Sequence, residues 1–139
     1  MTALVDTSAL LRLVLREAGE LIELRTFESL VASELIAVES YRTIDRLRLS
    51  GSLSTDEATE RGTSIATWLE AIDLVLLRAA VLARASEPMP TPLGTLDALH
   101  LATALVWRER MAKPLVVATH DTSLAAAARA FKFEVIGVG

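Results

Sequence analysis

A chain of 139 residues with 52% hydrophobic residues, a mean hydropathy of +0.42 and a formal net charge of −4 has room for one domain with a substantial core, residues 1–139, and not for two ordinary ones. The negative balance argues against a nucleic-acid binder that works by bulk positive charge, and 4% aromatic residues against an extended stacking platform for single strands. Without cysteine there is no disulfide or thiolate metal site, and with no apolar run near the roughly 18 residues of a membrane span and no charged-then-apolar leader, the expectation is a cytoplasmic protein without membrane contact.

Ala3-Leu4-Val5 lacks polar alternation, which suits a strand buried on both faces of a parallel sheet. Asp6, Thr7 and Ser8 are helix-capping types, so a helix is expected over Ala9 to Leu15. Glu20 to Phe27 reads as a short amphipathic helix, and Leu30 to Ser33 as the next strand. A helix from Glu34 to about Leu49 is stopped by Ser50-Gly51, and Ser54-Thr55-Asp56-Glu57 has the form of a capping box opening a helix to about Trp68. Ile72 to Leu76 is a third strand, Leu77 to Ala85 a helix, and the Pro/Gly-rich stretch 87–94 a loop. A helix from Leu96 to about Met111 stops before Lys113-Pro114. Leu115 to Ala118 is the fourth strand, followed by a helix over Leu124 to Ala128 and a fifth strand over Phe133 to Ile136. Strands and helices alternate throughout, which argues for an α/β domain with a mostly parallel sheet and helices on both faces.

Four acids have informative surroundings. Asp6 and Asp121 both stand in Asp-Thr-Ser turns after strands; as plain N-caps each is worth about 1 kcal/mol. Glu39 borders the apolar stripe Ile36, Ile44, Leu47 of its helix, although an i,i+3 pair with Arg42 would also account for it. Asp97 opens an almost wholly apolar helix on which it shares a face with His100 and Thr103, where a favourable dipole interaction is the structural explanation. His100 reads as a satisfied core histidine, since no second histidine lies at ligand spacing, and His120 as exposed and incidental.

In a parallel α/β fold all four acids converge on the carboxyl edge of the sheet. Two carboxylates about 6 Å apart repel by roughly 3 kcal/mol at an effective dielectric near 20, so a group of four calls for a counterion. Oxygen-only donors point to Mg²⁺ or Mn²⁺, able to lower the pKa of a water and hold a phosphodiester for in-line attack. Thr7, Ser8 and Thr119 would hydrogen-bond the carboxylates or the scissile phosphate.

The succession Leu4-Val5-Asp6-Thr7-Ser8, Glu39 after Ser33-Glu34-Leu35, the run Leu96-Asp97-Ala98-Leu99-His100-Leu101-Ala102-Thr103-Ala104, and Ala118-Thr119-His120-Asp121 resembles the PIN-domain ribonucleases. Size and the Asp-Ala-Leu-His-Leu-Ala-Thr-Ala run look most like VapC-type toxins of bacterial toxin–antitoxin modules. The resemblance implies a three-layer α/β/α domain with a five-stranded sheet of order 3-2-1-4-5. It further implies Mg²⁺- or Mn²⁺-dependent endoribonuclease activity on structured RNA, a homodimer, and an antitoxin that covers the acidic pocket. The family's acidic quartet falls on Asp6, Glu39, Asp97 and Asp121, and its accompanying small hydroxyl on Thr119. The alternative within the family is an inert PIN-like domain that only binds RNA or a partner protein. A receiver-type phosphate domain would need an adjacent acidic pair near the N-terminus, a haloacid dehalogenase-like phosphatase an acid at Ser8, and a dinucleotide-binding fold a glycine-rich turn that is absent.

Overall fold

The computed structural model describes residues 1–138. Its strands are β1 (Thr2–Val5), β2 (Ser29–Ser33), β3 (Ile72–Val75), β4 (Leu115–Ala118) and β5 (Glu134–Ile136), paired in the order β3-β2-β1-β4-β5 with every pair parallel. The order expected from the resemblance is therefore the one observed. Six α-helices, α1 (Thr7–Val14), α2 (Leu35–Leu49), α3 (Thr55–Glu70), α4 (Ala79–Ala85), α5 (Thr95–Met111) and α6 (Thr122–Ala130), cover both faces.

The unbroken apolar character of the strands is what builds three layers. Successive side chains of a strand point to opposite faces, and here Ala3 and Val5 join a core with Leu10, Val14, Ile36 and Ile65 from α1, α2 and α3. Leu4 and Val117 join a second core with Leu101, Leu105 and Leu124 from α5 and α6. Truncating a fully buried leucine such as Leu4 to alanine in a core of this kind costs about 2–5 kcal/mol. Among the described residues no helix is long and apolar enough to cross a membrane.

Two expected elements differ. Glu20 to Phe27 forms not an amphipathic α-helix but a 3-10 helix, Ile22–Thr26, which buries Leu24 and leaves Ile22 exposed. The Thr26 hydroxyl donates to the Glu23 carbonyl, and Phe27 is already extended as the chain enters β2. Helix α4 begins at Ala79 and not at Leu77, because the Leu77 N–H donates to Glu34 Oε2 at 2.9 Å and Arg78 is held extended.

The centre of the sheet sets up the site. Val5 lies opposite Ala118 in the parallel register of β1 and β4. Beyond that pair the Asp6 N–H still donates to the Ala118 carbonyl and the Thr119 N–H to that of Ile136, both at 3.0 Å. Asp6 and Thr119 thus leave the sheet side by side, where β1 connects toward one edge through β2 and β4 toward the other. This reversal of strand order opens the crevice in which open α/β sheets bind ligands.

Candidate active site

Four segments distant in sequence bring acids to that crevice. Asp6 ends β1, Glu39 stands in the second turn of α2, Asp97 in the first turn of α5, and Asp121 caps α6. All four line one cleft of about 440 Å³, together with Thr7, Ser8 and, on the α2 wall, Arg42, Thr43 and Arg46. A larger pocket of about 530 Å³ lies by Ser29 and Trp68, at the amino end of β2, and has Glu28 as its lone acid.

Most of these carboxylates have one oxygen committed to the protein. Asp6 occupies the N-cap position of α1 yet makes no side-chain cap; its Oδ2 accepts instead from the Thr119 hydroxyl at 2.6 Å and the Ser8 hydroxyl at 2.7 Å. Glu39 Oε1 accepts from the Thr7 hydroxyl at 2.9 Å and from His100 Nε2 at 2.6 Å. Asp121 Oδ1 accepts from the Leu124 N–H at 2.8 Å, a true N-cap. Asp97 has no hydrogen-bond donor to either oxygen among the described residues.

The charges respond accordingly. Burial works against ionised Glu39, but the His100 hydrogen bond and charge, with the Thr7 hydroxyl, outweigh it and hold the carboxyl below its ordinary range. Burial likewise works against a charged His100; the bond to Glu39 and the carboxylates of Asp6, Glu39 and Asp97 win, and its pKa is raised. Asp97 is pushed up to about 6, first by burial and then by the charges of Asp121, Asp6 and Glu39, which the His100 charge only partly offsets. Burial and the crowding of carboxylates thus act on Asp97 in the same direction.

Several expectations need correcting. Arg42 pairs with Asp45 at 2.8 Å, not with Glu39. Thr103, expected to share a polar face with Asp97 and His100, turns its hydroxyl back onto the Leu99 carbonyl within α5. His100 is buried as a core histidine would be, but its satisfaction is half complete: Nε2 holds Glu39, whereas Nδ1 is buried without a partner. His120 is half-buried, not exposed. Its ring Nδ1 donates to the Gly137 carbonyl at 3.0 Å and its backbone N–H to the Ser8 hydroxyl at 2.9 Å. No sequence signal within one helix could have paired His100 with Glu39, because the partners are 61 residues apart.

The donor set suits a hard divalent cation. It consists of carboxylate oxygens, and Asp6 and Asp121 each keep the second oxygen clear of the donors that orient the first. Among the described residues no group of three or more acidic or histidine side chains stands close enough together to hold a metal ion without side-chain movement.

Comparison with known proteins bears on the family and the fold. The sequence model of the PIN domain matches residues 3–130. The chain belongs to the PIN-domain family. Among solved structures, VapBC2 from Rickettsia felis bound to a DNA fragment from its promoter shares the PIN fold, with a TM-score of 0.69 over 97% of each chain at 9% sequence identity. No curated protein sequence is a significant match.

Proposed function

We propose that this PIN domain is a Mg²⁺- or Mn²⁺-dependent endoribonuclease, the toxin of a type II toxin–antitoxin module. PIN domains are in general nucleases, and the observation that carries the reading is the single cleft lined by Asp6, Glu39, Asp97 and Asp121, with Asp97 raised to about 6 by burial and then by its neighbours' charges. When bound, a divalent ion supplies charge neutralisation for these carboxylates and activates water for attack on a phosphodiester.

The chain's own groups prepare that chemistry. Ser8 and Thr119 fix the rotamer of Asp6, and Thr7 and His100 that of Glu39, so neither carboxylate has to reorganise when the cation arrives. Asp97, unheld and half-protonated near pH 6, is the acid placed to accept a proton from the attacking water. Arg46 is exposed at the cleft wall, bonded to the Thr43 hydroxyl and to no carboxylate among the described residues, which suits it to hold an RNA phosphate. Val38 and Leu96, 53% and 50% exposed, give the cleft an apolar mouth, which supports coverage by an antitoxin.

The test is cleavage of structured RNA by purified, antitoxin-free protein with Mg²⁺ or Mn²⁺, beside Asp6→Ala and Asp97→Ala. Cleavage that depends on metal and is abolished in both folded variants is the expected result. Metal-dependent RNA binding without cleavage would establish the inert PIN-like alternative.

A further inference from the structure

We propose that His100 is a positioning residue, which holds Glu39 in the cleft by donating Nε2–H to Oε1 and so presents Oε2 to a divalent cation. The inference rests on the proposed metal-dependent reading of the same cleft. Because a carboxylate only accepts, the 2.6 Å contact fixes Nε2 as the donor. Thr7 donates to the same oxygen at 2.9 Å, so Oε1 is saturated and Oε2 is the oxygen left for a ligand. Asp6 is held in the same way, with two donors on Oδ2. His100 Nε2 is also 3.9 Å from Asp6 Oδ1, which places the buried imidazole against both acids.

Two features show that this contact serves more than packing. His100 is 1% exposed in the most apolar part of α5, and its Nδ1 is buried without a partner. A leucine there would avoid burying an unmatched polar nitrogen. Glu39, moreover, has no donor of its own on α2: Arg42, one helical turn further along, is already paired with Asp45 at 2.8 Å. The His100 and Thr7 donors are therefore the ones, among the described residues, that hold the Glu39 carboxylate.

Calorimetric titration with Mn²⁺ tests this on the wild type, H100L, H100Q and, as the reference for a lost ligand, E39Q. The glutamine amide can place an N–H where the imidazole Nε2–H lies. We expect H100Q to keep its Mn²⁺ affinity within about threefold and H100L to lose about ten- to a hundredfold, the range for residues that orient metal ligands. In RNA cleavage H100L should lower kcat with KM little changed. Wild-type Mn²⁺ affinity and kcat in H100L would overturn the assignment. Should H100L fail to fold, T7V removes the other donor to the same oxygen; a weakening of Mn²⁺ binding by about tenfold supports the clamp, and an unchanged affinity overturns it. A crystal structure of H100L or T7V separates this proposal from the metal reading. If the wild type binds no Mn²⁺ the nuclease reading fails, but a Glu39 carboxylate displaced from its wild-type position in the variant would still establish the positioning role, and Glu39 unmoved would refute it.

Discussion

Asp97→Asn should make the metal-free protein more stable at neutral pH. In the folded chain Asp97 keeps its proton up to about pH 6, whereas its ordinary value is 3.8. Between those values the folded state binds more protons than the unfolded one, so stability falls as pH rises through this window, and above about 6 the full penalty is in place. At about 1.4 kcal/mol per pH unit the upper bound is about 3 kcal/mol, and solvent access to the half-buried carboxylate reduces this to roughly 1–2 kcal/mol. Asp97 also stands in the first turn of α5, where its charge gains about 0.5 kcal/mol from the helix dipole that asparagine forfeits. The net gain is about 1 kcal/mol, a rise in Tm on the order of 4 °C for a domain of this length. Thermal melts in EDTA at pH 7.5 and pH 4 measure it. The gain should be present at the higher pH and nearly gone at the lower. An asparagine variant no more stable at pH 7.5, or equally favoured at both pH values, would refute the claim that burial and crowded charge together set the state of Asp97.

Divalent ions should raise the Tm of the wild type and much less that of Asp121→Asn, since asparagine preserves the cap on Leu124 but removes the charge; an equal shift in calorimetry or dye melts counts against Asp121 as a ligand. Arg46→Ala should weaken RNA binding, measured with Ca²⁺ in place of Mg²⁺, and reduce the slope of log affinity against log salt by about 1, leaving the melting curve near that of the wild type; an unchanged slope removes Arg46 from the phosphate path. Gly137→Ala should cost at least about 2 kcal/mol in urea melts, because Gly137 has φ +104° and a Cβ there would lie 2.2 Å from the Thr119 carbonyl oxygen. Any displacement of Thr119 also loosens its hydrogen bond to Asp6, so RNA cleavage should fall further than the folded fraction; activity that tracks the folded fraction alone would break this link.

How legible each part was in the sequence depends on the range of the interaction that decides it. Ala3-Leu4-Val5 and Leu115 to Ala118 are apolar runs ended by polar caps, so both strand ends, and the acids beyond them, follow from local pattern. The Ser54–Glu57 capping box is equally local, and both of its hydrogen bonds are present. The 3-10 helix at Ile22–Thr26 defeats the pattern because one short turn must hand over to β2 before an α-helix can repay its nucleation. On α5 a helical wheel places Asp97, His100 and Thr103 together, but three neighbours on a face need not share a task. Asp97 lines the cleft, His100 turns to α2, and the Thr103 hydroxyl finds its acceptor within its own helix. The same limit applies to Glu39: its local partner Arg42 is taken by Asp45, and a histidine from a distant helix completes its environment.

These contacts give the four acids unequal roles. Asp6, Glu39 and Asp121 each have an oxygen fixed by protein donors, and for Glu39 those donors hold the carboxyl ionised. Asp97 has no such donors, is half-buried and feels the charge of the other three, so burial first and that charge second raise its pKa. Positive charge brought into the cleft therefore acts most strongly on Asp97, by returning it to the ionised state. A divalent cation held beside Asp97 would favour its ionised form, and binding would then release a proton near neutral pH. Asparagine at position 97 breaks this coupling without disturbing any protein hydrogen bond to a carboxylate. It should thus both stabilise the empty protein and abolish its activity, a combination that a purely structural acid at the start of α5 would not produce.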